Sequence, residues 1–168
     1  MGAVDGLVTH AGLALGLQPA QKAVLDNWDT LIDTNNQGLL YMTRAVLPGM
    51  VARDRGHVVN MGSVAALYAY PGGNVYGATK AAATGFTRSL AREVGKLGVT
   101  VNAIAPGFVD TELTQSLSED QRKRIAGRSA LRRLPEPDDV ARMVEYLLGD
   151  GGRNITGSVL TIDAGNTA

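Results

Sequence analysis

The chain has 168 residues, balances 16 lysines and arginines against 16 aspartates and glutamates, and contains no cysteine. That length suffices for a single domain, residues 1–168, with a substantial core, and zero formal charge gives no global attraction to nucleic acid or to an anionic membrane. The absence of thiols excludes a disulfide framework, a thiolate nucleophile and a cysteine metal site; no metal site is expected, and the compartment reads as reducing and cytoplasmic.

In chain order, Val4–Thr9 reads as a first strand. No basic segment precedes it, so it does not read as a secretion signal, and no apolar run in the chain approaches the length needed to span a bilayer. His10, Ala11 and Gly12 follow it. Gly12–Gln18 is glycine-rich but lacks the third glycine and the following helix of a phosphate loop, and Pro19 interrupts it. Asp26 with Asp29 is placed to cap a helix carrying Trp28, Leu31 and Ile32. That helix continues, with a break expected near Asn35, through Leu39, Leu40, Thr43, Val46, Leu47 and Met50. From spacing alone Asn35 reads as a cap at this junction.

Gly56–Met61 is an apolar strand that ends in Gly62 and Ser63, the position where an open α/β sheet presents chemistry. A helix beginning near Asn74 is rich in small residues: Gly77, Ala78, Ala81, Ala82, Ala83, Gly85 and Ser89. Such a surface admits another helix at close range, whereas exposed glycine only weakens a helix. Val99–Ala105 is a further buried strand running into Pro106, Gly107 and then Thr111. Asp110 to Pro137 is charged, turn-rich and expected to be mobile. Its basic cluster, Arg122, Lys123, Arg124, Arg128, Arg132 and Arg133, is interleaved with Glu119, Asp120, Glu136 and Asp138, and reads as a solvated helix face. Asp138 and Asp139 suit a helix start, with Val140, Met143, Val144, Leu147 and Leu148 on its buried side. Asp150–Gly152 reads as a loop and Val159–Asp163 as the last strand. This alternation is that of a parallel α/β sheet.

The chemistry concentrates in Tyr76-Gly77-Ala78-Thr79-Lys80, with Ser63 thirteen residues before the tyrosine. A helix sets residues i and i+4 on one face, so the Lys80 ammonium is expected close to the Tyr76 phenol, favouring its ionised form. Moving a tyrosine from about 10 to about 7 takes roughly 4 kcal/mol. One cation supplies part of that, and burial, hydrogen bonds and a second positive charge are expected to supply the rest. Singly, a strand-end serine is a turn residue and a helix-start tyrosine a packing group. Their joint spacing argues otherwise.

These residues, with Asn35 upstream and the Pro106-Gly107 turn downstream, resemble the classical short-chain dehydrogenase/reductase family, whose tetrad falls on Asn35, Ser63, Tyr76 and Lys80. The resemblance runs from Val4 to Gly165. From Leu13 to Lys80 it is similar to the NADP-dependent 3-hydroxy acid dehydrogenases, and from Ser89 onward to the 3-oxoacyl-carrier-protein reductases. It implies a truncated Rossmann-like parallel sheet and reversible hydride transfer between a nicotinamide and a small-molecule carbonyl or secondary alcohol. It also implies NADP or NAD as cofactor, with NADP slightly favoured, and a homodimer or larger homo-oligomer built on the small-residue helix. In this reading Ser63 holds the substrate oxygen, Tyr76 exchanges its proton, Lys80 lowers the tyrosine pKa and holds the nicotinamide ribose, and Asn35 positions a relay water. Ala11, Gly12, Tyr76, Lys80, Pro106, Gly107 and Thr111 would contact the cofactor, Thr111 near the carboxamide.

The chain departs from the family at Thr9 and His10, where asparagines are favoured, and at Ala164, the first of a usual pair of glycines. His10 reads as structural. Family members also begin with a strand, a glycine-rich turn, a helix and two further strand-helix units that have no counterpart in this sequence. An unpaired apolar sheet edge is therefore expected at the first strand. Halving the roughly 8 kcal/mol of a micromolar nucleotide site leaves affinity near millimolar. A second reading follows, in which the chain is a cofactor-free scaffold acting through self-association.

Overall fold

The computed structural model describes residues 3–16, 18–109, 111 and 118–168. Four apolar stretches form the strands β1 (Gly6–Thr9), β2 (Gly56–Met61), β3 (Val99–Pro106) and β4 (Val159–Ile162). They pair in chain order, all parallel, with Val8 opposite Val59, Val59 opposite Asn102 and Ile104 opposite Leu160. Each parallel step needs a crossover, and helices supply these. They are α1 (Leu25–Ile32), α2 (Gly38–Ala52), α3 (Asn74–Val94), α4 (Glu119–Arg128) and α5 (Pro137–Leu148).

Strand alternation divides the core in two. Leu7, Val58 and Val101 turn to one face and meet Met50 of α2 and Leu90, Ala91 and Val94 of α3. Val59, Met61 and Ile104 turn to the other and meet Leu147 of α5, flanked by Val140, Met143 and Val144. The three layers form the truncated Rossmann-like sheet that the resemblance implied.

The expected break near Asn35 is a π-helical turn over Asp33–Gln37 that joins α1 to α2. The expected Asp26/Asp29 cap is corrected: Val24 is the N-cap, without a side-chain hydrogen bond, and Asp26 lies in the first turn. There it acts on the helix dipole and accepts no capping bond. The start expected at Asp138 and Asp139 forms with a reciprocal cap, the Glu136 side chain accepting from N3 and Asp139 from the Glu136 N–H at 2.9 Å.

β1 pairs only with β2 among the described residues, so its other edge is open. The edge is apolar only in part, since Leu7 is buried and Val8 is 38% exposed. Within the segment expected to be mobile, residues 110 and 112–117 lie outside the described residues, as does residue 17 of the glycine-rich stretch. α4 buries none of its side chains, and Lys123 meets Glu119 at 2.7 Å, as a solvated face requires. No helix among the described residues is long and apolar enough to cross a membrane.

Candidate active site

The site grows from the C-terminal ends of β2 and β3. Gly62 donates to the Ile104 carbonyl at 2.7 Å, and a Cβ there would stand 3.0 Å from that oxygen. Only glycine lets β2 turn this close to β3. Ser63 follows as the cap of a short 3-10 turn, its Oγ accepting from the Ala65 N–H at 3.1 Å. Gly77 meets the same loop, since a Cβ there would be 2.9 Å from the Ala65 carbonyl oxygen. Close packing of α3 on the loop sets Tyr76 near Ser63, and both side chains face one cavity.

Burial raises the Tyr76 pKa above its ordinary value, while the nearby Ser63 hydroxyl pulls in the opposite direction. Lys80, buried on the same helix, donates to the Met61 carbonyl at 2.9 Å, and its Nζ lies 5.8 Å from the centre of the Tyr76 ring. Its own pKa is lowered by burial. The expectation that burial helps to favour the tyrosinate is therefore corrected. Desolvation opposes either charge, and the ammonium is fastened to a backbone carbonyl.

Asn35 is buried in the π-helical turn. Its Oδ1 accepts from the Leu13 N–H at 2.8 Å, and its Nδ2 donates to the Leu13 carbonyl and the Thr79 hydroxyl, both at 3.0 Å. It is thus a clamp on the loop after β1 as well as a junction residue. Gly12 lies under this clamp, where a Cβ would stand 3.4 Å from both Asn35 Oδ1 and Lys80 Nζ. Two residues not singled out from the sequence complete the fastening. Thr79 donates to the Tyr76 carbonyl at 2.8 Å, and Asn36 donates to the Thr79 carbonyl at 2.9 Å. The signal was a threonine inside the Tyr-Lys pair and a second asparagine beside the first.

A cavity of about 520 Å³ opens here. Gly12, Ser63, Tyr76, Lys80, Pro106, Gly107 and Thr111 line it, so seven of the nine expected site residues share one space. Asn35 acts from behind the lining, and Ala11 is exposed on the loop and does not line the cavity. His10, expected to be structural, is instead an exposed residue of the cavity rim. The remaining wall is apolar, with Val8, Met61 and Val109 facing Val140 and Val144 of α5. Tyr70, also missed, has its pKa raised by burial and by the nearby Tyr76. Thr9 donates to Asn60 at 2.8 Å, tying β1 to β2 at the departure from the family's asparagine.

A parallel α/β sheet that delivers a serine, a tyrosine and a buried lysine to one cavity defines a Rossmann-like protein of the oxidoreductase type. The family profile described as enoyl-(acyl carrier protein) reductase matches residues 1–167. A curated NADP-dependent 3-hydroxy acid dehydrogenase of Salmonella typhi is 58% identical over 106 residues, 63% of this chain and 43% of that protein. A 3-oxoacyl-[acyl-carrier-protein] reductase of Vibrio harveyi is 38% identical over 98% of this chain and 67% of its own length. Among solved structures, a gluconate 5-dehydrogenase of Burkholderia cenocepacia in complex with NADP and tartrate superposes with a TM-score of 0.95 at 28% identity, over 99% of this chain and 66% of that one. The chain belongs to the short-chain dehydrogenase/reductase family, and its match spans between 43% and 67% of the length of these relatives.

Proposed function

We propose that this chain carries the catalytic part of an NAD(P)-dependent oxidoreductase that interconverts a carbonyl and a secondary alcohol, of the 3-oxoacyl or 3-hydroxy acid type. The observation that carries this reading is that Ser63, Tyr76 and Lys80 share the wall of one cavity. Two donors beside one apolar wall suit a neutral carbonyl whose oxygen becomes negative as it is reduced. Ser63 holds that oxygen, and Tyr76 gives it a proton or takes one in the reverse direction. The protonated phenol that burial favours is the form needed for reduction.

The residues present fit the nicotinamide end of a dinucleotide. Gly12 leaves open the space in front of Lys80, and Pro106, Gly107 and Thr111 form the facing wall of a cavity of about 520 Å³. Bound nicotinamide supplies or accepts the hydride. Lys80 holds its ribose, and Asn35 fixes the loop bearing Gly12. NADP is favoured over NAD because the related dehydrogenase of Salmonella typhi is named as NADP-dependent and the gluconate dehydrogenase structure contains NADP. The reading carries a cytoplasmic location, which cell fractionation checks. It also carries a homodimer through α3, whose Ala78, Ala81, Ala82, Gly85 and Ser89 are all exposed.

The test is a titration with NADPH and NADH, following nicotinamide fluorescence and thermal stability, and then reduction of a 3-oxoacyl thioester. Micromolar binding with turnover supports the reading. No binding up to millimolar concentration rejects it and favours a cofactor-free scaffold, for which the open edge of β1 is the supporting observation.

A further inference from the structure

We propose that the segment Asp163–Thr167 is a strap joining the two walls of the catalytic cavity, and that Tyr68 is the positioning residue through which it holds the loop bearing Ser63. The strap begins where β4 ends. The Asp163 carboxylate, 8% exposed, accepts from the Gly165 N–H at 2.9 Å, the Thr167 N–H at 2.9 Å and the Thr167 hydroxyl at 2.6 Å. Three donors on one buried carboxylate fix a tight turn, with Ala164 and Gly165 both in the left-handed region at φ of 56° and 75°.

The turn touches one wall twice. A Cβ on Gly107 would stand 2.6 Å from the Asp163 Cβ, so the strap lies directly on the cavity's Pro106-Gly107 corner. The Ala164 and Gly165 carbonyls accept from the Leu131 and Ala130 N–H groups at 3.0 and 3.2 Å, which holds the segment after α4. The other wall is reached by a single long-range bond. Tyr68 Oη donates to the Thr167 carbonyl, 99 residues away in sequence. Tyr68 in turn donates its N–H to the Val64 carbonyl at 2.8 Å, one turn from Ser63. Tyr68 is half-exposed, so this bond rather than burial fixes its ring, and it adds a distal tie to a loop that Gly62 and α3 hold at the near end.

The consequence falls on Tyr76, which shares the cavity wall with Ser63 and whose pKa the Ser63 hydroxyl lowers. Burial and the Ser63 hydroxyl shift the Tyr76 pKa, and Lys80 and Tyr70 are the other titratable groups close to it. Removing the Tyr68 hydroxyl therefore reaches Tyr76 only by loosening the loop. This inference deepens the functional reading above and rests on it only for its kinetic arm.

The experiment labels the five tyrosines with 13C at Cζ, assigns Tyr76 by its loss in Tyr76→Phe, and follows its titration by NMR without cofactor. Tyr68→Phe, which keeps the ring, should move the Tyr76 midpoint upward. Asp163→Asn, which cuts the strap at its anchor, should do the same. The double variant should add little to either, because both break one linkage. An exposed control, Tyr41→Phe, should leave the midpoint in place. A Tyr76 titration unchanged in folded Tyr68→Phe overturns the proposal, and so does full additivity of the two variants. In the kinetic arm, Tyr68→Phe should lower kcat about tenfold with KM within about twofold, as expected for a misplaced catalytic group. If the wild-type chain reduces no carbonyl at all, the functional reading fails while the titration still decides the strap.

Discussion

Burial acts on Tyr76 and Lys80 through their charged forms, raising the first pKa and lowering the second. Between the lowered pKa of Lys80 and its ordinary 10.5, the unfolded chain holds a proton that the native chain does not. Stability contributed by this group therefore rises with pH through that window. For Tyr76 the native chain holds the extra proton above 10.0, so its contribution falls at higher pH. Lys80→Met keeps the buried stem and removes the ammonium. Its stability relative to wild type should decline as pH rises toward 10.5, read from urea midpoints, because only the wild type gains there. Parallel stability curves for the two proteins would show that Lys80 is solvated in the native state. Tyr76→Phe should leave far-ultraviolet dichroism unchanged and lower carbonyl reduction about 10²-fold or more, the usual contribution of a placed proton donor. Undiminished turnover would reject Tyr76 as the acid. Ser63, Tyr76 and Lys80 are legible in the sequence because one helical turn and one strand end bring them together. The Asn35 clamp on Leu13 spans 22 residues and the Thr9–Asn60 bond 51, and no local period encodes such partners.

At the scale of elements, the hydrophobic periods give the strands and long helices, because each buries one regular stripe. The π-helical turn at Asp33–Gln37 is legible only as a break, since its extra residue is set by the packing of Asn35 and Asn36 on α3. The turn after β4 shows the converse, a local departure with a structural reading. The family's usual glycine is replaced by Ala164, and Ala164 has φ of 56°, where a Cβ is strained by about 1 kcal/mol. Ala164→Gly should therefore raise Tm by about 2–4 °C in a thermal melt, for a domain of this size. A fall in Tm would mean that the alanine side chain contributes more by packing than it costs in strain. The small residues of α3 divide by role. Gly77 accommodates the Ala65 carbonyl, while Gly85 has nothing within 4 Å. A glycine exposed mid-helix weakens a lone helix, and the proposed α3 dimer would give it a role by laying a second helix against it. Ala81→Arg puts a long charged side chain on that face and should weaken the dimer, lowering the average mass seen by light scattering at a given concentration. A dimer that persists in the variant would move the interface elsewhere.

For the whole molecule the governing feature is the open edge of β1. Asp5 accepts from the His57 N–H at 2.9 Å, so the odd-numbered residues of this strand turn their backbone groups toward β2. Gly6 and Val8 then present theirs outward, in a four-residue strand without a charged side chain. Such an edge templates pairing with another strand. On a chain with zero formal charge, no long-range repulsion opposes that approach. Association through β1 is independent of the α3 face, since α3 lies on one layer of the sheet and β1 at its margin. Ala81→Arg should accordingly retain a weaker, concentration-dependent assembly, seen as a rising average mass in light scattering. Adding Val8→Lys should remove it, because the lysine stem can lie along the cavity rim while its ammonium stays in water and repels a second edge. The single variant Val8→Lys should keep the α3 dimer. If the double variant assembles as readily as Ala81→Arg alone, the β1 edge is covered in solution and the open margin is not what joins copies of this chain.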